Sequence, residues 1–233
     1  MKGKHPDVPK EEELAIMDDG LLQFALRAFV TLFVVVDPLG VAPSFAALTN
    51  EFEIRERSRT LRRAVIVAFG VTLFFLACGR WLLDYLGVTV HAFAISGGIL
   101  LFAASWPMLF GHRTGLQAPA ETGSRGTSGE DIAVFPLAIP LLSGPGTIAT
   151  ILLLTNRPDT DIARLGILAA IVAAVFLISW VVLHAGERIM IRLGEGKARV
   201  MTRVLGIVLA ALAVQFVLDG VRGFYESLAR NAA

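Results

Sequence analysis

The stretch VVVDPLGVAP, residues 34–43, interrupts an apolar run long enough to cross a membrane with an acid, two prolines and a glycine. A carboxylate inside hydrocarbon costs about 2.5–3.5 kcal/mol even on the lenient insertion scale. Proline removes a backbone donor and breaks the helix, and the polar groups so freed must line a cavity or face other protein. A passive membrane anchor would not carry such a cost. This break, and a second one about 106 residues further on, mark the functional centre.

Composition sets the class. Of 233 residues, 55% are hydrophobic and 18% charged, with mean hydropathy +0.68, where a soluble domain would carry about 25% charged residues. Bilayer geometry asks for about 20 apolar residues per helical span, and several segments qualify. The single cysteine, Cys78, excludes an intramolecular disulfide and a cysteine-based metal cluster. A net charge of +1 argues against nucleic acid as a partner. Residues 1–20 carry Asp7, Glu11, Glu12, Glu13, Asp18 and Asp19 and lack the apolar core of a signal peptide, so they read as a polar tail or short surface helix.

Six spans follow. The first, residues 21–49, is long for one straight crossing and reads as a half-helix, 21–36, a break at 37–43 and a short second half. Residues 50–63 form a charged loop with Arg55, Arg57, Arg59, Arg62 and Arg63. The second span is 64–83, closing on the interfacial Arg80, Trp81 and Tyr85, with Asp84 and His91 in the loop beyond it. The third is 92–111, with a kink expected at Trp106-Pro107. Residues 112–130, rich in Gly, Ser, Thr and Pro, read as a flexible linker. The fourth span, 132–155, is interrupted by Pro136, Pro140 and the run Ser143-Gly144-Pro145-Gly146. The fifth is 165–183, and the sixth has its uncharged core at 204–218.

The loops after spans one, three and five hold twelve of the 21 Lys and Arg. The positive-inside rule places those loops in the cytoplasm and both termini outside.

Three glycines recur at nearly one offset: Gly40 with Gly146, Gly87 with Gly194, and Gly98 with Gly206, separated by 106, 107 and 108 residues. The positive charge also changes sides. The loop after the first span holds five Lys/Arg and its counterpart after the fourth holds two, whereas the loop after the second holds one and its counterpart after the fifth holds five. A three-span repeat inserted upside down requires that swap, and such repeats place a substrate site where two broken helices meet near the midplane. The fold expected is all-α and membrane-integral: six transmembrane helices as two inverted three-helix repeats, residues 21–111 and 131–228, with broken first and fourth helices.

Asp37 leads the candidate residues. It could bind a cation, accept a proton or hold a substrate amine; it could equally cap the helix that starts at Pro38. Pro38, Gly40 and Pro43 in one half, and Gly144, Pro145 and Gly146 in the other, free backbone groups. A half-helix starting after Gly146 would aim N–H groups and a positive dipole end at a carboxylate, and Ser143 and Thr147 flank it with hydroxyls. Gln215, inside the sixth span, needs a polar partner and reads as a link between helices. Gly97, Gly98, Gly206 and Ala210 suit close helix packing. Ser143 with His184 raises a serine hydrolase reading, but no Gly precedes Ser143 at the expected spacing, and His184 lies near a membrane surface. Neither a phosphate-binding loop nor a metal-ligand cluster is present, so no cofactor and no metal are expected.

At DPLGVAP (37–43), AFAISGGILLF (92–102), DIAVFPLAIPLLSGPGTIAT (131–150) and RVLGIVLAALAVQFVLDG (203–220), the chain resembles the MarC family of six-span bacterial inner-membrane proteins. The likeness covers residues 21–225. That family is also described as neutral amino acid transporters, some members being assigned to glycine, alanine and similar solutes with a cation gradient. The resemblance implies a transport site at Asp37, Pro38 and Gly40 together with Ser143, Gly144, Pro145 and Gly146.

The function expected is secondary transport of small neutral amino acids, coupled to H⁺ or Na⁺ through Asp37, by alternating access at the two breaks. Thr147 joins the expected binding residues. The expected partners are a zwitterionic amino acid, H⁺ or Na⁺, the lipid bilayer and, as an option, further copies of the chain. The expected location is the bacterial inner membrane, multi-pass with periplasmic termini. A non-transporting membrane partner or regulator is the alternative, and an intramembrane hydrolase a more distant one.

Overall fold

The computed structural model describes residues 10–110, 129–156 and 161–231. Among these residues every regular element is helical. This is the only economical way to cross hydrocarbon without a closed barrel, because a helix satisfies its own backbone groups. The elements are α1 (Lys10–Val36), α2 (Pro38–Leu48), α3 (Ile54–Leu86), α4 (Val90–Phe110), the single turn α5 (Gly129–Ile132), an irregular coiled stretch Ala133–Leu142, α6 (Pro145–Thr155) and α7 (Ile162–Asn231).

Among the described residues, five stretches are long and apolar enough to cross a membrane: Gly20–Leu48, Ile54–Leu86, Val90–Phe110, Ile162–Gly186 and Val200–Ala229. A sixth arises if Ala133–Leu142 and Pro145–Thr155, bent by 50° at their junction, count as one broken span. The chain is a multi-pass integral membrane protein.

Several sequence expectations shift. The first break is one residue wide rather than seven. Val41 N–H already bonds the Asp37 carbonyl at 3.0 Å, so the helix has restarted before Pro43, which lies inside α2. The charged stretch 50–63 is mostly not a loop, since α3 begins at Ile54; arginine is a good helix former and does not interrupt it. Asp84 and His91, expected in a loop, occupy the end turns of α3 and α4. The polar N-terminal segment is already helical from Lys10, and most of the linker expected at 112–130 lies outside the described residues, α5 starting at Gly129.

The fifth and sixth spans both belong to α7, which would be about 105 Å long if straight. It is not straight. Arg57 at the start of α3 sits over the Phe45 ring at 5.2 Å, so the end of α2 and the start of α3 share one side of the bundle. The far end of α3 leads into α4, which returns to that side at Met108. Gly186 packs on Ala42 and Gly206 on Met108, both on that side, whereas Gly220 packs on His91 at the opposite end. The chain therefore turns back between Gly186 and Gly206.

Two apolar cores result, both drawing on α1. Phe24, Ala28, Leu32 and Val36 pack with Leu61, Ala64 and Ala68 of α3, with Leu137 and Leu142, and with Leu168, Val172 and Phe176 of α7. Val34 and Val35 turn instead to Leu101 and Met108 of α4, Ala149 of α6, and Leu209, Ala213 and Phe216 of α7. Tandem glycines let α4 serve two neighbours at once. A methyl group on Gly97 would come within 2.5 Å of the Ala149 side chain, and one on Gly98 within 2.6 Å of the Ala213 carbonyl oxygen. Gly206 sits equally close to Met108, as the packing role expected for these glycines requires. Large apolar side chains such as Leu22, Ile66, Phe74 and Leu177 point outward, the arrangement of a bundle solvated by lipid.

Candidate functional site

Asp37 is where two helices share one residue. Its N–H donates to the Phe33 carbonyl at 3.0 Å, ending α1, and its own carbonyl receives the Val41 N–H, opening α2. To do both it adopts the left-handed conformation, φ 47° and ψ 61°, which costs a non-glycine residue about 1–3 kcal/mol. Aspartate is among the few side chains that tolerate this conformation, because its short carboxylate bonds locally. Here Oδ1 accepts the Gly40 N–H at 3.0 Å, an N-cap on the third residue of α2. Pro38 fills the first helical position, where no N–H is needed. A methyl group on Gly40 would collide with the carboxylate. Every fixed letter of Asp-Pro-x-Gly thus has a local reason.

The second break is built differently. The residue before a proline is pushed to extended backbone, and Phe135 (φ −132°, ψ 126°) and Ile139 (φ −128°, ψ 121°) take that form before Pro136 and Pro140. Ser143 ends the stretch with its N–H on the Ala138 carbonyl at 2.8 Å. Gly144 follows in extended form, so close to the Pro140 carbonyl that a side chain would not fit. Pro145 then opens α6, and Ile148 N–H bonds the Gly144 carbonyl at 3.1 Å. Gly144, at the N-cap of α6, has no side chain to cap it, and no other side chain does so among the described residues. The Thr147 hydroxyl turns back to the Leu142 carbonyl at 3.3 Å instead. The early N–H groups of α6, on Gly146 and Thr147, are therefore left for whatever occupies the space beside them.

That space is a cavity of about 140 Å³. Asp37, Gly40 and Val41 line it from the first break, and Pro140, Gly144, Pro145, Gly146 and Thr147 from the second. Leu100, Leu101, Ala104 and Met108 of α4 and Leu209 of α7 complete a largely apolar wall. Among the described residues Asp37 is the sole ionisable one in the lining. The positive end of the α6 dipole belongs to the other half of the wall. A carboxylate and a helix N-terminus in one small apolar chamber suit a solute bearing both charges.

The expected residues divide accordingly. Asp37, Gly40, Gly144, Pro145, Gly146 and Thr147 line the cavity, whereas Pro38 is buried at the head of α2 and Ser143 is fully buried away from the lining. Ser143 Oγ lies 3.0 Å from Thr72 Oγ1 on α3. Because the Thr72 hydroxyl donates to the Ala68 carbonyl at 2.9 Å, Ser143 is the donor of that pair. His184 is exposed and stacks on Trp180, their ring centroids 5.6 Å apart. Gln215 finds its partner on its own helix rather than across to another: Nε2 donates to Asp219 Oδ1 at 2.7 Å on an exposed face.

Sequence reasoning passed over Thr72 and the α4 wall. Thr72 could have been noticed as a lone hydroxyl among the apolar residues of its span. Leu100, Leu101, Ala104 and Met108 carry no signal of their own, being indistinguishable from ordinary core.

The sequence pattern of MarC family integral membrane proteins matches residues 22–225. The chain is 40% identical over 204 residues to a UPF0056 membrane protein of Archaeoglobus fulgidus, covering 86% of this chain and 93% of that one. It is 34% identical over 209 residues to a UPF0056 membrane protein of Methanocaldococcus jannaschii, covering 87% and 98%. With the UPF0056 membrane protein YvbG of Bacillus subtilis it shares 30% identity over 209 residues, covering 89% and 99%. No solved structure matches.

Proposed function

The chain belongs to the MarC family of integral membrane proteins, and on that footing we propose that it is a secondary transporter of small neutral amino acids rather than an enzyme. One observation carries the reading: a single carboxylate, Asp37, and the uncapped N-terminus of α6 line the same small, otherwise apolar cavity. A zwitterion offers the complement of both. Its carboxylate would take the N–H groups of Gly146 and Thr147 and the positive helix end. Asp37 would pair with the ammonium group or carry the coupling proton or Na⁺. Gly40, Gly144 and Gly146 keep side chains out of the cavity at both breaks, and a cargo the size of glycine or alanine suits a wall of that kind.

Access would alternate as the two halves rock about the paired breaks. The protein would sit in the bacterial inner membrane with the arginine-rich first turns of α3 in the cytoplasm and both termini outside.

The test is uptake. Purified protein in liposomes should accumulate labelled glycine or alanine under an imposed proton or Na⁺ gradient, and Asp37→Asn should abolish or uncouple that uptake. Absence of uptake across a panel of small amino acids and both gradients would overturn the reading in favour of a non-transporting membrane partner.

A further inference from the structure

The helix α3 carries its charge in line with its lipid-facing ridge. Successive residues turn about 100°, which places Arg55, Arg59, Arg62, Ile66, Gly70 and Phe74 within one arc of about 120°. All six are exposed, Ile66 at 60% and Phe74 at 50%. The opposite face, with Leu61, Ala64, Ala68 and Thr72, is buried in the bundle. Between residues 57 and 63 there are four arginines and no acid; Glu51, Glu53 and Glu56 lie further out, towards water. Arg57 is held over the Phe45 ring. Arg55, Arg59 and Arg62 have no ion-pair partner among the described residues.

The depth also fits. The apolar run of α3 from Ala64 to Leu83 matches the ~30 Å hydrocarbon core at 1.5 Å per residue. Arg62 and Arg59, two and five residues before it, then stand in the headgroup layer, about 5–7 Å thick on each side. Below them Gly70 leaves a notch between Ile66 and Phe74 that opens on empty space, since a methyl group added there would meet nothing within 4 Å. A free anion has no use for the notch, and a neutral lipid has no use for the unpaired arginines.

We propose that this face of α3 is a binding site for an anionic phospholipid, its phosphate bridged by Arg59 and Arg62 and an acyl chain lying along Ile66, Gly70 and Phe74. Arginine suits the role because its planar fork bonds phosphate oxygens in pairs. Arg55 adds attraction from the outer edge of the headgroup layer.

The test uses the full chain purified in neutral detergent, with thermal unfolding and native mass spectrometry read against added phosphatidylglycerol, phosphatidylcholine or inorganic phosphate. Phosphatidylglycerol should bind and raise Tm while the other two do not. Arg59→Gln with Arg62→Gln should weaken that binding by about 25-fold, fivefold for each basic residue at the surface, and Arg59→Lys with Arg62→Lys should keep most of it. Equal responses to the two lipids, an equal response to inorganic phosphate, or an unaltered glutamine double variant would overturn the site. Should the glutamine variant not fold, Gly70→Leu decides: its side chain enters open space, so weaker phosphatidylglycerol binding supports the site and unchanged binding overturns it.

Discussion

Asp37 Oδ1 accepts the Gly40 N–H at 3.0 Å, and the absence of a side chain on Gly40 is what leaves room for that carboxylate. Gly40→Ala should therefore displace Asp37 and remove the cap of α2. Losing an N-cap costs about 0.5–2 kcal/mol, and the left-handed backbone at Asp37 loses the bond that stabilises it. Thermal unfolding in detergent should show a clear drop in Tm, and amino acid uptake should fall with it.

Asp37→Asn separates capping from charge. Asparagine caps helices as well as aspartate and tolerates the same left-handed backbone. Stability should stay within about 1 kcal/mol of the parent, while gradient-driven uptake falls by at least about tenfold. A variant as active as the parent would remove Asp37 from the coupling role and leave it as a cap alone.

Thr72 and Ser143 make a second test, away from the cavity wall. Thr72→Val leaves the fully buried Ser143 hydroxyl without its acceptor, at a cost of about 1–3 kcal/mol. Ser143→Ala alone should cost less, since Thr72 keeps its bond to the Ala68 carbonyl. The double variant should be less destabilised than the two single losses added, by about 0.5–1 kcal/mol or more. Strict additivity in denaturation would show that the two hydroxyls do not act as a pair.

How much of this was legible in the sequence follows from what each residue must do locally. Asp37-Pro38-x-Gly40 and Gly144-Pro145 are backbone instructions, and they place the breaks wherever the chain ends up. The tandem Gly97-Gly98 likewise announces close packing. The first break is shorter than its prolines suggest, because a helix restarted at Pro38 already holds its Val41 bond and passes through Pro43. Polarity alone makes the charged stretch 50–63 look like a loop, although its arginines are good helix formers and α3 begins at Ile54. The position of Ser143 could not be read at all. Its hydroxyl turns away from the cavity towards Thr72, a residue 71 positions away, and no local pattern encodes that choice. Gln215 shows the opposite case: its partner is an i, i+4 neighbour on its own helix, Asp219, which lies in plain view in the sequence.

Ala104 offers a test of what the cavity holds. It is the smallest of the α4 side chains in the lining, beside Leu100, Leu101 and Met108, so a larger residue there takes space from the solute rather than from the core. In an apolar pocket of this kind, one methylene of fit is worth about tenfold or more in discrimination. Ala104→Val should therefore depress alanine uptake about tenfold relative to glycine, in a variant whose Tm shows that it still folds. Competition assays with the two amino acids on one preparation measure the ratio directly. A ratio that does not move, in a variant that still transports glycine, would place the solute's side chain against another wall, Leu209 being the next to change.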